Sequence, residues 1–267
     1  MDLRRIPITS VVLLSLSATA FASDMDAGEI ARRAADSARI TAWRADIEIT
    51  DLGRNGDVQR QRSGSISSRM RDNAIDAERR YAFSSPQDIR GTVLLVHENA
   101  ADQDDIWFYL PALGNTRRIA GSAKRNSFVG TQYAFADLIG FQHERYQHQL
   151  TAAEQCAEGP CRVLDSVPSD EAYAEELGYS RVRTWVLDGS YYPVRIEYYD
   201  LGGELLKVQT MTDFAELEGA EPKALARTSL MVNKRSGRAT SISMHEVNFA
   251  PAFRSGEFSP QRLESRR

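Results

Sequence analysis

The sequence predicts an α+β protein, mainly β, built on a single large, curved antiparallel sheet. Turn signals separate strand-like segments about every 8–12 residues, which is the rhythm of an antiparallel meander. One segment near the N-terminus favours a substantial helix. No internal repeat or low-complexity linker divides the 267 residues, so one domain is the simplest organisation.

The predicted helix covers residues 26–42, where small and apolar residues recur at four-residue steps at Ile30, Ala34, Ala38 and Ala42. Two shorter helical pieces are predicted around 135–140 and at 170–177, the latter with Ser169 as a possible N-cap.

We count ten or eleven strands, because apolar alternation and continuous apolar runs are typical of strands. The segments that carry the pattern are 46–50, 58–70, 79–83, 91–98, 106–110, 181–188, 192–200, 204–212, 226–233 and 239–249. A sheet of this size tends to curl, and a helix and an inserted loop over its concave face would leave an apolar cleft.

The N-terminus predicts an exported protein. Arg4 and Arg5 precede an apolar stretch at 6–16, and Ala20 and Ala22 form a small-x-small cleavage site. We therefore expect a signal peptide at 1–22 and a mature domain at 23–267 in the periplasm. The alternative, a retained membrane anchor, needs about 20 apolar residues, and the stretch is shorter. A formal net charge of −4 disfavours general nucleic-acid binding, which rests on neutralising phosphates.

The two cysteines, Cys156 and Cys161, are predicted to form a disulfide, the usual state of such a pair in an oxidising compartment. A redox-active or metal-binding role is the alternative. The spacing is not that of a thioredoxin-type motif, and no histidine clusters beside the pair.

Residues 104–138 contain the densest group of aromatic and apolar residues, with a few polar ones among them. Such a surface suits a protein that binds a hydrophobic ligand. We expect seven aromatic and methionine side chains near the cavity or its lid, with ordinary core packing as the alternative: Trp107, Tyr109, Phe128, Tyr133, Phe135, Met211 and Met231. Arg117 and Arg118 are candidates for contact with an anionic headgroup or a partner, or else for a solvated hairpin face.

No catalytic or metal-binding constellation is expected. The sequence has no G-x-S-x-G elbow, HExxH or P-loop. His143 and His148 are five residues apart, which places them on different sides of a helix and on opposite faces of a strand. We therefore expect no metal, no cofactor and no enzymatic activity.

Two patterns carry a family resemblance. W-x-Y-L-P…R-R-I…S-F-x-G-x6-D-L spans the central run, and a Tyr-x-Pro strand pair includes Trp185, Tyr192 and Pro193. They resemble the outer-membrane lipoprotein-sorting family of LolA/LolB-like periplasmic carriers. The resemblance implies an unclosed, half-open β-barrel with helices that lid a hydrophobic cavity.

The resemblance also implies a function: a soluble carrier that binds acyl chains of a lipoprotein or lipid and shuttles them between envelope components. Many members of the family look like partners of inner-membrane transporters of the RND or MMPL type, so transient membrane-protein contact is expected. The missing lipid-anchor cysteine after the signal favours a soluble shuttle over an anchored receptor. The alternatives are a periplasmic sensor or regulator that binds lipid or polypeptide to control a membrane signalling protein, and a hydrolase with an unrecognised site.

Overall fold

The computed structural model describes residues 26–100 and 102–264. The predicted signal peptide, residues 1–22, lies outside this range. The described residues form two α-helices, α1 (Ala27–Ser37) and α2 (Glu171–Leu177), and four short 3₁₀ helices at Gly121–Arg125, Phe135–Leu138, His143–Arg145 and Pro260–Arg262. No helix among them is long and apolar enough to cross a bilayer.

All thirteen strands of the described residues join one antiparallel sheet. In chain order they are β1 (Ala42–Leu52), β2 (Val58–Met70), β3 (Ala77–Ser85), β4 (Val93–His97), β5 (Asp105–Leu110), β6 (Asn115–Ile119), β7 (Tyr146–Gln155), β8 (Pro160–Pro168), β9 (Arg181–Leu187), β10 (Pro193–Tyr199), β11 (Leu205–Leu217), β12 (Lys223–Asn233) and β13 (Ala239–Asn248).

The sheet consists of two meanders joined side by side. Strands β1–β6 form the first half and β7–β13 the second, and the halves meet where β1 pairs with β13. Strands β6 and β7 are the two edges and do not pair with each other, so the barrel stays open. The predicted fold class, an unclosed antiparallel barrel with few helices, is confirmed.

The element predictions differ from the structure mainly at three strands. Strands β6, β7 and β8 were not predicted, because β6 and β7 are short of buried apolar residues and lie at the sheet edges. The predicted helix at 26–42 is shorter, since α1 ends at Ser37 and β1 begins at Ala42. The N-cap of α2 is Asp170, not Ser169; its carboxylate accepts a 2.7 Å hydrogen bond from the backbone N–H of Tyr173.

Residues 120–145, which we name the crossing segment, connect the two edge strands and pack against the inner face of the sheet. Arg62 of β2 donates a 2.9 Å hydrogen bond to the carbonyl of Val129, and the N–H of Gln132 donates to Thr240 Oγ1 at 2.9 Å. The crossing segment is thereby bonded to strands of both halves.

The main core lies between the inner face and the crossing segment. Phe128 is fully buried, and its ring lies 5.7–5.8 Å from those of Tyr81, Phe83 and Phe135. The aromatic residues of the central run therefore fill the space inside the open barrel.

The C-terminal residues 249–264, which we name the strap, cover the outer face of the first half. Phe258 and Leu263 are buried against Val93 and Leu95 of β4. The carbonyl of Phe258 also forms a 2.8 Å hydrogen bond with His97 Nε2. Strand β4 is thus buried on both faces, which accounts for its continuous apolar run.

The predicted disulfide is confirmed. Cys156 and Cys161 are bonded at the end of the β7–β8 hairpin, with their Cα atoms 5.9 Å apart. The backbone N–H of Cys156 also donates to the carbonyl of Gly159 at 2.9 Å, so the bridge lies across an already hydrogen-bonded turn.

Candidate functional site

The candidate site is a cavity of about 360 Å³ between α1, the crossing segment and the inner face of the sheet. Four alanines of α1 and its C-terminal end face it, at positions 31, 34, 35 and 38. Its sheet wall comes from both halves of the barrel and consists largely of apolar and aromatic side chains: Trp43, Ile66, Tyr81, Leu164, Val182, Val186, Pro193, Ile196, Tyr198, Met211 and Met244.

Helix α1 rests on the sheet through one small apolar contact. Ile30 and Ala31 are buried against Leu164 and Val186. Ion pairs such as Arg33–Glu29 occupy the solvent side of the helix. The alanines leave a space beneath the helix because they lack the volume to fill it.

Five tyrosines contribute to the lining: Tyr81, Tyr146, Tyr173, Tyr179 and Tyr198. Burial raises the pKa of all five, to about 12 for Tyr81 and Tyr173. These hydroxyls therefore stay neutral at any physiological pH, and the wall adds polarity without charge.

A buried ion pair forms one polar corner of the cavity. Burial disfavours the charge of Arg79, but its neighbours, Glu98 foremost, together outweigh burial and raise the pKa of Arg79. Glu98 also accepts hydrogen bonds from the backbone N–H groups of Ala77 at 2.9 Å and Gly140 at 2.7 Å. A Cβ at Gly140 would lie 2.1 Å from Glu98 Oε1, so this approach requires glycine.

A second polar contact links the loop before β5 to the crossing segment. Gln142 Nε2 donates to Asp104 Oδ1 at 2.7 Å, and the backbone N–H of Asn99 donates to the same oxygen at 3.0 Å. Burial raises the pKa of Asp104 to about 6 despite these bonds. Together with the Glu98–Gly140 bond, this contact joins the first half to the chain that leads into β7.

The structure separates the seven predicted cavity residues into three groups. Met211 lines the cavity. Phe128, Tyr133, Phe135 and Met231 lie in the main core.

The third group is Trp107 and Tyr109, which lie on the outer face against the strap, because side chains alternate along β5 and Ile106 and Phe108 take the inner face. Arg117 and Arg118 are exposed on the edge strand β6, where Arg118 pairs with Asp105.

The lining tyrosines and the alanine face of α1 were not predicted as site residues. The four-residue alanine steps are visible in the sequence, but they indicate no more than a thin packing stripe. Within residues 26–100 and 102–264, no three His, Cys, Asp or Glu side chains are grouped so that they could hold a metal ion. His148 Nε2 instead forms a 2.9 Å hydrogen bond with the carbonyl of His143.

The comparisons with known proteins agree with this geometry. A family model described as that of an uncharacterized protein matches residues 76–265. An outer membrane lipoprotein-sorting protein domain from Vibrio parahaemolyticus is 26% identical, with a TM-score of 0.80, 89% of this chain covered and 98% of the other. No curated protein matches the chain.

Two further solved structures share the fold. A DUF1329 family protein from Desulfovibrio piger has a TM-score of 0.80 and 23% identity, over 89% of this chain and 97% of the other. A LolA superfamily protein from Nitrosomonas europaea has a TM-score of 0.66 and 18% identity, over 89% and 99%. The predicted resemblance to LolA/LolB-like proteins is confirmed.

Proposed function

The chain belongs to the family whose model matches residues 76–265, it has the LolA-like fold, and on these premises we propose that it is a carrier for the acyl chain of a lipid or lipoprotein. The observation that supports the proposal is the largely apolar cavity between α1 and the sheet.

The physical basis of binding is removal of the chain from water. Burial of each methylene is worth about 0.8 kcal/mol, so a chain of a dozen carbons offers on the order of 10 kcal/mol before ordering costs. A volume of about 360 Å³ is at the small end of ligand sites, which range over roughly 300–1,000 Å³. The cavity as it stands therefore suits one acyl chain rather than several.

The protein acts by binding rather than by catalysis. The polar groups at the cavity are engaged with one another: Arg79 with Glu98, and Tyr179 with Asp137 at 2.7 Å. Such groups define a polar end for an amphiphile and fix its orientation. Release then depends on a second conformation that a donor or acceptor protein favours.

The proposed setting is the periplasm, after removal of the signal peptide at 1–22. There the carrier shuttles its cargo between envelope components and protects the chain from water in the manner of a chaperone. We propose an inner-membrane transporter of the RND or MMPL type as its partner. These finer assignments rest on the resemblance described above and on the pattern of residues 1–22.

The direct test is native mass spectrometry with lipid extraction on protein purified from a periplasmic fraction. Ala35→Trp is designed to fill the cavity from α1, where Ala35 lines it and is half-buried. Ala112→Trp is the matched control, because Ala112 is exposed in the β5–β6 turn.

We expect the wild-type protein to carry a stoichiometric lipid or acylated polypeptide. Ala35→Trp should reduce the occupancy of this cargo at least tenfold, and Ala112→Trp should not reduce it. An empty wild-type protein that also fails to take up a fluorescent fatty acyl probe would refute the carrier function. Equal occupancy in both variants would show that the cargo binds outside this cavity.

A further inference from the structure

A second hollow, of about 440 Å³, lies between the end of α2 and the turns that follow β10 and β12. We name it the basic cleft, because three of its lining residues are Arg125, Lys207 and Arg235. Asp200 is the one acidic residue among the described residues that line it. The three cations come from separate parts of the chain: the crossing segment, β11 and the turn after β12.

The fold positions Arg125 at the cleft. Gly178 ends α2 with φ +80°, and a Cβ there would lie 2.9 Å from Arg125 Cδ. The side chain of Arg125 can therefore lie directly on the backbone at the end of the helix. Glycine at this position satisfies both the left-handed conformation and the close approach.

Lys207 is placed by a buried network. Its ammonium group pairs with Asp137 and lies 5.0 Å and 5.1 Å from the ring centres of Tyr179 and Tyr198. Asp137 also accepts hydrogen bonds from the backbone N–H of Ala134 at 2.6 Å and from the Tyr179 hydroxyl at 2.7 Å. The carboxylate therefore has two donors besides Lys207, and Lys207, whose ammonium group has three N–H donors, also lines the cleft.

The two arginines are themselves partly exposed to solvent. Arg125 pairs with Glu175 at 2.8 Å, and both side chains are at least one-third exposed. Arg235, which is 60% exposed, pairs with Asp200. An exposed pair such as Arg125–Glu175 contributes only about 0–1 kcal/mol. Each guanidinium has five N–H donors, so donors remain for an added anion.

We propose that the basic cleft binds a phosphate group, carried either by the headgroup of a single-chain lipid or by free inorganic phosphate. Leu177 and Tyr179 line both the cleft and the acyl cavity, so a headgroup in the cleft lies one layer of side chains from the cavity. The lipid source rests on the proposed carrier function; the free-phosphate source does not.

The experiment measures binding of three probes to the full mature chain by calorimetry: dodecyl phosphate, dodecanol and inorganic phosphate. Dodecyl phosphate is expected to bind about tenfold more tightly than dodecanol, the effect of one hydrogen bond to a charged group. Salt should reduce this preference, because the two arginines are partly exposed to solvent.

Arg125→Gln and Arg235→Gln should each weaken dodecyl phosphate binding about three- to tenfold and leave dodecanol binding unchanged. Arg227→Gln is the matched control, an exposed arginine that pairs with Asp213 at 3.3 Å outside the cleft. Thermal melts confirm folding, and the exposed Arg235 provides the test if Arg125→Gln is destabilised.

The outcomes separate the two sources. One outcome is that inorganic phosphate binds, that both cleft variants weaken this binding, and that neither dodecyl probe binds. This result supports the cleft as a site for free anions and refutes the carrier function. Equal binding of dodecyl phosphate and dodecanol, with no binding of inorganic phosphate, overturns the cleft and leaves the carrier intact. The phosphate site is also overturned if Arg125→Gln and Arg235→Gln bind dodecyl phosphate as Arg227→Gln does.

Discussion

The outer faces of the two halves of the sheet differ in what covers them. In the first half the strap covers β4 and β5, and the residues beneath it are apolar or aromatic. In the second half the outer face of β8–β10 has no such cover among the described residues. There Arg181 lies 3.6 Å from the ring centre of Tyr199, Arg195 lies 5.1 Å from that of Trp185, and Asp165 pairs with Arg181 and Arg183.

The difference shows that the structural role of a side chain depends on whether a distant segment covers it. Trp107 and Trp185 both point outward from the sheet. The strap makes Trp107 part of a small second core, whereas Trp185 packs on Arg195 and donates its ring N–H to Glu154 at 2.8 Å. Tryptophan therefore belongs to a hydrophobic core in the first half and to an uncovered, polar surface in the second.

The largest expected effect comes from emptying the core beneath the strap. Phe258 is 2% exposed and packs on β4, so Phe258→Ala should lower the free energy of unfolding by about 3–5 kcal/mol. Trp185→Ala, on the uncovered half, should cost less than about 1.5 kcal/mol. Urea denaturation of both variants measures the difference, and equal losses would show that the strap does not set the two halves apart.

A second, somewhat smaller effect is expected where the first half contacts the crossing segment. Gly140→Ala would force a Cβ to within 2.1 Å of Glu98 Oε1 and disturb the buried Arg79–Glu98 pair, at a cost of about 3 kcal/mol. Gly219→Ala is the control, because its Cβ would meet no atom nearer than 3.9 Å. The same denaturation measurement checks it, and a loss below about 1 kcal/mol would mean that this contact does not hold the crossing segment to the first half.

The third prediction concerns pH at the same junction. The pKa of Asp104 rises from 3.8 to about 6 through burial, so between these values the folded protein binds a proton that the unfolded chain has lost. Stability from this group is full below pH 4, falls as the pH rises to about 6, and stays low above it. The change is on the order of 3 kcal/mol.

Asp104→Asn keeps a neutral acceptor for Asn99 and Gln142 and should remove this decline, so that the variant is the more stable protein at pH 8. Asp102→Asn, at an exposed position of the same loop, is the control. Thermal melts from pH 4 to pH 8 measure both. A wild-type protein whose stability rises over that interval while that of Asp104→Asn does not would contradict the expected direction of the pH dependence.

Local pattern was sufficient to predict most of the fold. The strand at 58–70 has the predicted bounds, and the turn spacing predicted one antiparallel sheet. Two of the three strands that were missed, β6 and β7, are the sheet edges, and neither contains a buried residue. In β7, for example, seven of the ten residues are exposed and none is buried. The third, β8, has five buried residues of nine, but its apolar residues do not alternate regularly.

The site was less predictable than the fold because it depends on which face each residue takes. Ile106 to Leu110 are all apolar or aromatic, so the sequence holds no alternation that separates inner from outer residues. Phe108 faces inward while Trp107 and Tyr109 face the strap, more than 140 residues later in the chain. The cavity also depends on what α1 lacks, since its alanines leave space, and absent volume has a weak signature in sequence.

The smallest effect is expected at the stapled hairpin of the second half. The Cys156–Cys161 bond closes a short loop, for which loop entropy predicts roughly 2 kcal/mol, and the hairpin already has its own turn hydrogen bond. Replacing both cysteines with serine should therefore lower the free energy of unfolding by about 1–2 kcal/mol and leave acyl probe binding unchanged, because neither cysteine lines the cavity. Wild-type protein under reducing conditions should match the double variant. A loss of probe binding would show that the hairpin end communicates with the cavity through β8, whose Leu164 and Ser166 form part of its wall.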